Sequence, residues 1–306
     1  MPKLFIDPTQ VVVSGLSSGA YMAVQLHVAF SRTFAKGAGI VAGGPYYCAQ
    51  NNMTRALGPC MMHNASTVVE NLIAITKSWS LQGVIDNILN MRKTKVYLFS
   101  GKLDSLVHQA VMDDLATYYA NFVPIKNIKY RNDIVAQHSI VTDNYGNPCD
   151  KLAVPLINNC SFDSIGEMLT FIYDDLKPRN SGPLTGKFLE FNQTKFVVNN
   201  NFAPTGFVYI PTTCGPRDSA LTLCKLLVAI HGCMQSVAYV GLEFVMHAGY
   251  NNWADTNNIV VLYPQLTQNP ENGCWDWWGY ESPDYAKKSG PQMAAIKSMV
   301  DYLIMP

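Results

Sequence analysis

Residues 11–26 read VVVSGLSSGAYMAVQL and carry the strongest local pattern in the sequence. The apolar run at 11–14 predicts a short buried strand, and 19–30 has the apolar pattern of a helix. In the turn between them, glycines stand two positions before and two positions after Ser17. A serine on so sharp a strand-to-helix turn needs small neighbours because its backbone is cramped. The stretch predicts a nucleophile elbow at Ser17, and a glycine-rich turn without chemistry is the alternative.

The rest of the chain alternates short apolar runs with longer segments of helical period. This alternation predicts an α/β fold with a mostly parallel sheet and helices on both faces. The Asn-rich segment 178–205 predicts a connection with a hairpin, and strands of the same buried kind stand on both sides of it. We therefore expect one domain, 1–306, without a separate substrate-binding domain. The predicted strands are 11–14, 40–41, 96–100, 128–132, 206–210, 226–230 and 259–263, and the predicted helices are 19–30, 109–122, 162–176, 237–251 and 292–304.

The composition is that of a packed globular protein. Apolar residues make up 48% of the 306 residues and charged residues 14%. Lys plus Arg and Asp plus Glu number 22 each, so the chain has no net charge to attract a polyanion, and nucleic acid is excluded as an expected partner. No apolar stretch approaches the roughly 20 residues that a membrane span needs. We expect a monomer without cofactor or metal.

The eight cysteines predict disulfides and export. Their spacings near ten residues fit small disulfide-closed loops, not the CxxC pairs of a zinc site. Buried free thiols are the alternative. Disulfides persist in oxidising compartments, so we expect a secreted, extracellular protein. The start, MPKLFIDPTQ, lacks the features of a signal peptide, and we expect the sequence to be a mature form. By spacing, the local pairs are Cys48 with Cys60, Cys149 with Cys160 and Cys214 with Cys224, which leaves Cys233 and Cys274.

A serine nucleophile needs a carboxylate and a base, and the carboxylate comes first along the chain. The stretch VYLFSGKLDSLV has a buried strand that ends at Ser100, with Asp104 in the loop beyond it. We therefore predict Asp104 as the acid. Asp113 and Asp114 fall within a predicted helix, where a solvated face explains them, and Asp86 has no strand before it.

The base is predicted to follow the next extended segment. IKYRND precedes AQHSIVTD, which places His138 in the following loop. Four other histidines have plainer explanations. His27 and His247 stand in apolar helical patterns, His108 in the first turn of the helix after Asp104, and His63 in a polar loop without a carboxylate context.

The oxyanion loop is expected near the other end of the chain. In KLLVAIHGCMQS a buried strand runs into His231, Gly232 and Cys233, which resembles an HG-type oxyanion loop. In an ordinary α/β-hydrolase, the strand that leads into the oxyanion loop comes before the nucleophile strand along the chain. Joining Pro306 to Met1 restores the order oxyanion strand, nucleophile, acid, histidine. The sequence therefore predicts a circular permutation of the α/β-hydrolase fold, which is tolerated where chain ends lie close together.

The chain resembles the circularly permuted extracellular polyhydroxybutyrate depolymerases, which cleave poly(3-hydroxybutyrate). The resemblance covers nearly the whole chain in family order. It is carried by SGLSSGAYMA, VAGGPYYC, KSWS, SGKLDSLV, AQHSIVTD, NNCSFD, HGCMQS, YNNWADTNN, LYPQ and NGCWDW.

The resemblance implies roles for named residues. Ser17, Asp104 and His138 are the implied triad, and the backbone N–H groups of Ser18 and Cys233 are the implied oxyanion hole. The implied disulfides are Cys48–Cys60, Cys149–Cys160, Cys214–Cys224 and Cys233–Cys274. The last of these would tie the oxyanion loop to an aromatic segment whose bulky side chains could grip an apolar polyester chain, although tryptophans are as often core residues. These aromatic residues are Trp275, Trp277, Trp278 and Tyr280.

We therefore expect a secreted serine esterase that hydrolyses poly(3-hydroxybutyrate) or a related polyester through an acyl-enzyme. Two alternatives stay open. One is an esterase for short-chain, phenolic or lipid esters. The other is a non-catalytic protein that binds a polymer on a hydrolase scaffold.

Overall fold

The strand that precedes Ser17 lies inside a large sheet. The computed structural model describes residues 1–197, 201–216, 222–269 and 271–304. Within these residues one sheet has eight strands and a smaller sheet has three. In chain order the strands are β1 (Ile6–Leu16), β2 (Gly37–Val41), β3 (Lys95–Phe99), β4 (Ile128–Arg131), β5 (Ile140–Thr142), β6 (Asn147–Pro148), β7 (Ile157–Asn159), β8 (Lys187–Asn192), β9 (Thr205–Ile210), β10 (Cys224–Ile230) and β11 (Ile259–Tyr263).

The strand order of the large sheet is β4-β3-β2-β1-β10-β11-β9-β8. Parallel pairing runs from β4 through to β11, and the two remaining pairings, of β9 with β11 and of β8 with β9, are antiparallel. Strands buried on both faces read as continuous apolar runs, which is why these strands are visible in the sequence. The predicted mostly parallel sheet is confirmed.

Helices cover both faces of the sheet, as predicted. Alternate residues of a strand point to opposite faces, and Val11 and Val13 belong to one apolar cluster while Val12 belongs to another. The first cluster contains side chains of the helices Ser18–Ala29 and Pro291–Ile304, and the second contains side chains of the helices Ser164–Tyr173 and Tyr250–Asn257. The α-helices are α1 (Ser18–Ala29), α2 (Met53–Leu57), α3 (Val69–Leu81), α4 (Gln109–Ala120), α5 (Ser164–Tyr173), α6 (Val237–Val240), α7 (Glu243–His247), α8 (Tyr250–Asn257) and α9 (Pro291–Ile304).

Helix α5 begins at Ser164, directly after its N-cap residue Asp163. The Asp163 side chain accepts a hydrogen bond from the Gly166 N–H at 2.7 Å, which satisfies one of the free amides of the first turn. The single helix predicted for 237–251 is wrong, because the structure has three short helices there. Gly241 and Gly249 lie at the breaks with φ of 61° and 94°, in the left-handed region that glycine enters at little cost.

The segment 178–205 contains β8, which forms the predicted hairpin with β9. Residues 198–200 of this segment lie outside the described residues. Because β9 also pairs with β11, the segment joins two parts of one sheet.

Four disulfides close the loops around this sheet. They join Cys48 to Cys60, Cys149 to Cys160, Cys214 to Cys224 and Cys233 to Cys274, which confirms the pairing that the resemblance implies. In the described ranges, no helix combines the length and the apolarity that crossing a membrane would require.

Candidate active site

Ser17 stands on a strained turn between β1 and α1. Its φ of 57° and ψ of −124° place a non-glycine residue in a sparsely populated backbone region. A Cβ on Gly15 would lie 2.2 Å from the Gly19 carbonyl oxygen, and one on Gly19 would lie 2.3 Å from the His231 carbonyl oxygen. Both glycines are therefore required by close backbone approach. This backbone geometry fits the nucleophile elbow that the sequence predicts at Ser17.

Asp104 lies in the loop after β3, where the protein holds its carboxylate in a fixed orientation. Oδ1 accepts hydrogen bonds from the N–H groups of Leu106 at 3.0 Å and Val107 at 2.8 Å. Oδ2 lies 2.8 Å from Nδ1 of His138. Both side chains of this pair are 1% exposed, so water does not compete for the bond.

His138 has a second ring nitrogen, Nε2, that does not take part in the bond to Asp104. Its Nε2 is buried and has no hydrogen-bond partner among the described residues. With Asp104 accepting from Nδ1–H, the neutral imidazole carries its lone pair on Nε2. This is the tautomer that can accept a proton from a serine hydroxyl.

Hydrogen bonds beyond the strand ends hold these loops side by side. The Ser17 N–H donates to the Val41 carbonyl at 3.0 Å, and the Ala42 N–H donates to the Phe99 carbonyl at 2.9 Å. The Leu103 N–H, in the loop that contains Asp104, donates to the Ala136 carbonyl, in the loop that contains His138, at 3.0 Å. The carboxyl ends of β1, β2 and β3 and the loop of His138 thus meet at one edge of the sheet.

The loop after β10 lies directly against Ser17. A Cβ on Gly232 would lie 3.3 Å from the Cβ of Ser17, so a larger residue would crowd the serine. Ser18 is the first residue of α1, and the first amides of a helix have no partner within it. In the described part of the chain, the Cys233 N–H donates no hydrogen bond, whereas those of Gly232 and Met234 do. The two residues predicted to supply the oxyanion hole are thus the neighbour of Ser17 along the chain and the neighbour of a glycine packed against Ser17.

His231 supports this loop and is not a free base. Its Nδ1 donates to the Gly232 carbonyl at 2.7 Å, and its Nε2 accepts from the Leu266 N–H at 3.3 Å. Burial lowers the pKa of His231 to about 4, against the smaller effect of the bond to Gly232. Each ring nitrogen of the neutral His231 imidazole therefore has a hydrogen-bond partner, and neither is available to act as a base.

The four predicted substrate-binding aromatics differ in exposure. Trp275 is fully buried, and its Nε1 donates to the His231 carbonyl at 3.0 Å. The predicted contact of Trp275 with substrate is wrong. This side chain lies in the core, bonded to the residue that follows β10, where a polymer cannot reach it. Trp277 is 5% exposed and stacks on Tyr21 of α1, with ring centroids 4.0 Å apart.

Trp278 and Tyr280 are the partly exposed members of the set. Their rings lie 4.9 Å apart between centroids. The Tyr280 hydroxyl donates to the Cys274 carbonyl at 2.7 Å and accepts from Nε2 of Gln292 at 2.8 Å. Of the four aromatics, this pair is available for contact with a ligand.

Sequence reasoning missed the residue that shapes this aromatic segment. The buried carboxylate of Asp276 accepts hydrogen bonds from four backbone N–H groups, those of Gly279, Tyr280, Glu281 and Ser282. Burial raises the pKa of Asp276 to about 6, and these bonds oppose the shift. An aspartate between tryptophans was the available signal, but its partners follow from the tertiary fold.

The other histidines lie outside this arrangement. His27 is fully buried in α1 with Nδ1 3.1 Å from the Tyr119 hydroxyl, and burial lowers its pKa to about 3. His247 stacks on Tyr145 with centroids 4.0 Å apart, and His108 precedes α4 as its N-cap residue.

The expectation that His63 has no carboxylate context is wrong. Its Nε2 lies 3.3 Å from Oδ2 of Asp114, which α4 brings to the loop of His63. Burial raises the pKa of Asp114, against the effect of His63. The protein therefore has a second histidine–aspartate pair, away from Ser17 in the sequence and more exposed than the first.

Relatives of the chain are known. No family model matches it. A poly(3-hydroxybutyrate) depolymerase of Delftia acidovorans is 54% identical over 302 residues, which cover 98% of this chain and 61% of that protein. A polyhydroxybutyrate depolymerase of Talaromyces funiculosus is 38% identical over 321 residues, which cover 99% of this chain and 92% of the relative. The chain belongs to the polyhydroxybutyrate depolymerase family.

Solved structures of polyhydroxybutyrate (PHB) depolymerases share its fold. A serine-to-alanine variant of a PHB depolymerase, complexed with an R3HB trimer, superposes with a TM-score of 0.92 at 38% identity over 99% of this chain and 98% of that chain. The PHB depolymerase from Penicillium funiculosum gives a TM-score of 0.91 at the same identity and coverage. This member of the family spans 61% of the length of the Delftia relative.

Proposed function

We propose that this protein is a serine esterase that hydrolyses the ester bonds of poly(3-hydroxybutyrate) or a related polyester. The observation that carries the proposal is the buried pair of His138 and Asp104, with Nε2 of the histidine unpartnered among the described residues, at the sheet edge where Ser17 stands on its strained turn. Membership of the PHB depolymerase family supports the substrate class.

The proposed reaction is acyl transfer. As the Ser17 hydroxyl attacks the ester carbonyl carbon, its proton passes to Nε2 of His138. The carboxylate of Asp104 holds the imidazole in orientation and stabilises the imidazolium through Nδ1–H without taking the proton. The carbonyl oxygen becomes an oxyanion, which the N–H groups of Ser18 and Cys233 stabilise.

Collapse of this intermediate breaks the ester bond. His138 returns the proton to the leaving alkoxide, which departs as an alcohol, and Ser17 keeps the acyl group. A water molecule then attacks the acyl-enzyme with His138 as base, and the products are a carboxylic acid and free Ser17. Because each charge that develops faces a prepositioned group, the site stabilises the transition state more than the bound ester.

We propose a circularly permuted, single catalytic domain for the same chain. The Leu4 N–H donates to the Leu303 carbonyl at 3.1 Å, so the amino end lies against the end of α9. The nucleophile strand β1 has β10, from the last third of the chain, as its direct neighbour. These contacts support a permutation in which the first strand belongs in the middle of the sheet. We also propose secretion, for which four disulfides are suited, and a monomeric state.

The test compares the wild type with Ser17→Ala on two substrates. We expect the wild type to clear a suspension of poly(3-hydroxybutyrate) and to hydrolyse p-nitrophenyl butyrate, and Ser17→Ala to do neither. Ser298→Ala, at an exposed position of α9, is the matched control and keeps both activities. A wild type that hydrolyses only the soluble ester is a short-chain esterase. One that adsorbs to the polymer without hydrolysing any ester is a binding protein.

A further inference from the structure

Gln235 is a buried polar residue in the oxyanion loop, four positions after His231. It is 1% exposed, and both ends of its side-chain amide are hydrogen-bonded to backbone. Oε1 accepts from the Gly232 N–H at 2.8 Å. Nε2 donates to the carbonyls of Pro155 at 2.8 Å and Leu156 at 3.3 Å. The amide therefore joins two chain segments that are 80 residues apart.

One end of Gln235 fixes the predicted oxyanion donor. The Gly232 N–H is held by Gln235, and the Met234 N–H is held by the Asn272 carbonyl at 2.8 Å. Cys233 lies between them and is tied to Cys274 by a disulfide. With both neighbouring amides anchored, the peptide plane that carries the Cys233 N–H has little freedom to turn.

The other end of Gln235 holds the segment behind the predicted base. The Leu156 carbonyl, which accepts from Gln235, also accepts from the Ile140 N–H at 2.9 Å. Ile140 begins β5 two residues after His138 and pairs with Ile157 in β7. The path from the glutamine to the loop of His138 is therefore two hydrogen bonds through one carbonyl.

We propose that Gln235 is a positioning residue, which holds the Cys233 amide and the His138 imidazole at fixed positions relative to Ser17. This role rests on the proposed acyl transfer. An oxyanion donor is effective when it is already aimed at the position that the developing charge will occupy. The same applies to the base, which has to stay within hydrogen-bond reach of the serine hydroxyl.

The chemistry of the site selects glutamine. The contact needs one acceptor for an N–H and one donor for two carbonyls, at the end of a side chain long enough to cross between the loops. Asparagine is one methylene shorter. A glutamate carboxylate accepts from Gly232 but faces the carbonyls of Pro155 and Leu156 with negative charge and no proton to donate.

The first experiment measures Gln235→Met, which keeps the length of the side chain and removes both hydrogen-bonding ends. We expect kcat on p-nitrophenyl butyrate to fall about 10- to 100-fold, as for a misaligned oxyanion donor, with KM within about threefold of wild type. Binding of 1-butaneboronic acid, which forms a tetrahedral adduct on the serine, is expected to weaken by a similar factor.

Gln193→Met is the matched control. Gln193 is equally buried, and its amide likewise bonds to backbone, at Ala203 and Gln265, outside the catalytic loops. We expect its Tm to fall as much as that of Gln235→Met while kcat stays within about twofold of wild type. A folded Gln235→Met with wild-type kcat, or a loss confined to KM, overturns the proposal. A wild type without esterase activity instead refutes the proposed function.

Gln235→Glu tests the role by a pH profile, even where the methionine variant does not fold. A protonated carboxyl group can donate to a carbonyl, whereas the carboxylate cannot. We expect the ratio of its kcat to that of the wild type to rise as the pH falls through the pKa of the new carboxyl group. A ratio that does not change with pH contradicts the proposal.

Discussion

Nδ1 of His138 lies 2.8 Å from Oδ2 of Asp104, and the two side chains are each 1% exposed. The carboxylate is held from its other side by the N–H groups of Leu106 and Val107. Because the acceptor cannot rotate away, the imidazole is held in one orientation and one tautomer. This leaves Nε2 as the ring nitrogen that would accept the serine proton in the proposed reaction.

Asp104→Asn is expected to lower kcat on p-nitrophenyl butyrate by about 10⁴-fold, because an amide can hold the wrong tautomer of His138. The second histidine–aspartate pair provides the control. Asp114→Asn alters the contact with His63 and is expected to leave kcat within about twofold of wild type. Equal losses of kcat in the two variants would contradict a specific role of Asp104 in the reaction.

Removal of the Cys233–Cys274 disulfide is expected to lower the stability of the folded protein. The bond closes a loop of 41 positions, so its loss lowers the free energy of unfolding by about 4 kcal/mol in the chain-entropy description. The double variant Cys233→Ser, Cys274→Ser is compared in urea unfolding with Cys149→Ser, Cys160→Ser, whose separation is 11. We expect about 3 kcal/mol for the shorter loop. A larger loss for the shorter loop would contradict this ordering.

Trp278→Ala is expected to slow the clearing of a poly(3-hydroxybutyrate) suspension by about three- to tenfold, which corresponds to roughly 1 kcal/mol of aromatic contact. Hydrolysis of p-nitrophenyl butyrate should be nearly unchanged, because the short ester does not reach beyond the reacting centre. Trp253→Ala is the control, since this half-buried tryptophan bonds to Asp163 through Nε1 at 2.8 Å, away from the aromatic segment. If both variants clear polymer at the wild-type rate per folded molecule, Trp278 does not contact the substrate.

Buried neutral histidines are expected to make the protein sensitive to acid. Burial lowers the pKa of His27 from 6.5 to about 3. Below pH 6.5 the unfolded chain therefore binds a proton that the folded protein does not, and the stability from neutral His27 is lost as the pH falls towards 3. The free energy of unfolding should decrease by up to about 1.4 kcal/mol per pH unit for this group.

His27→Gln removes the titration and keeps a partner for the Tyr119 hydroxyl. Urea unfolding between pH 7 and pH 4 should therefore show a shallower slope in this variant than in the wild type. Identical slopes would mean that His27 does not carry the acid sensitivity.

The positions of Ser17, Asp104 and His138 could be predicted from the sequence because each follows a local pattern, an apolar strand and the loop at its end. The sheet was predictable for the same reason. Gln235, Asp276 and the pair of His63 with Asp114 were not, since their partners come from segments that only the tertiary fold brings together. The break at Gly241 was missed because an isolated glycine within an apolar period does not by itself end a helix.

We propose that His138 activates Ser17, and this activation can be measured by covalent labelling of the serine. A fluorophosphonate reacts with an activated serine, and mass spectrometry of the digested protein identifies the modified residue. We predict one label, on Ser17, with labelling slowed at least about 10³-fold in His138→Ala. A label on another residue, or equal labelling of Ser17 in the wild type and in His138→Ala, would contradict activation of Ser17 by His138.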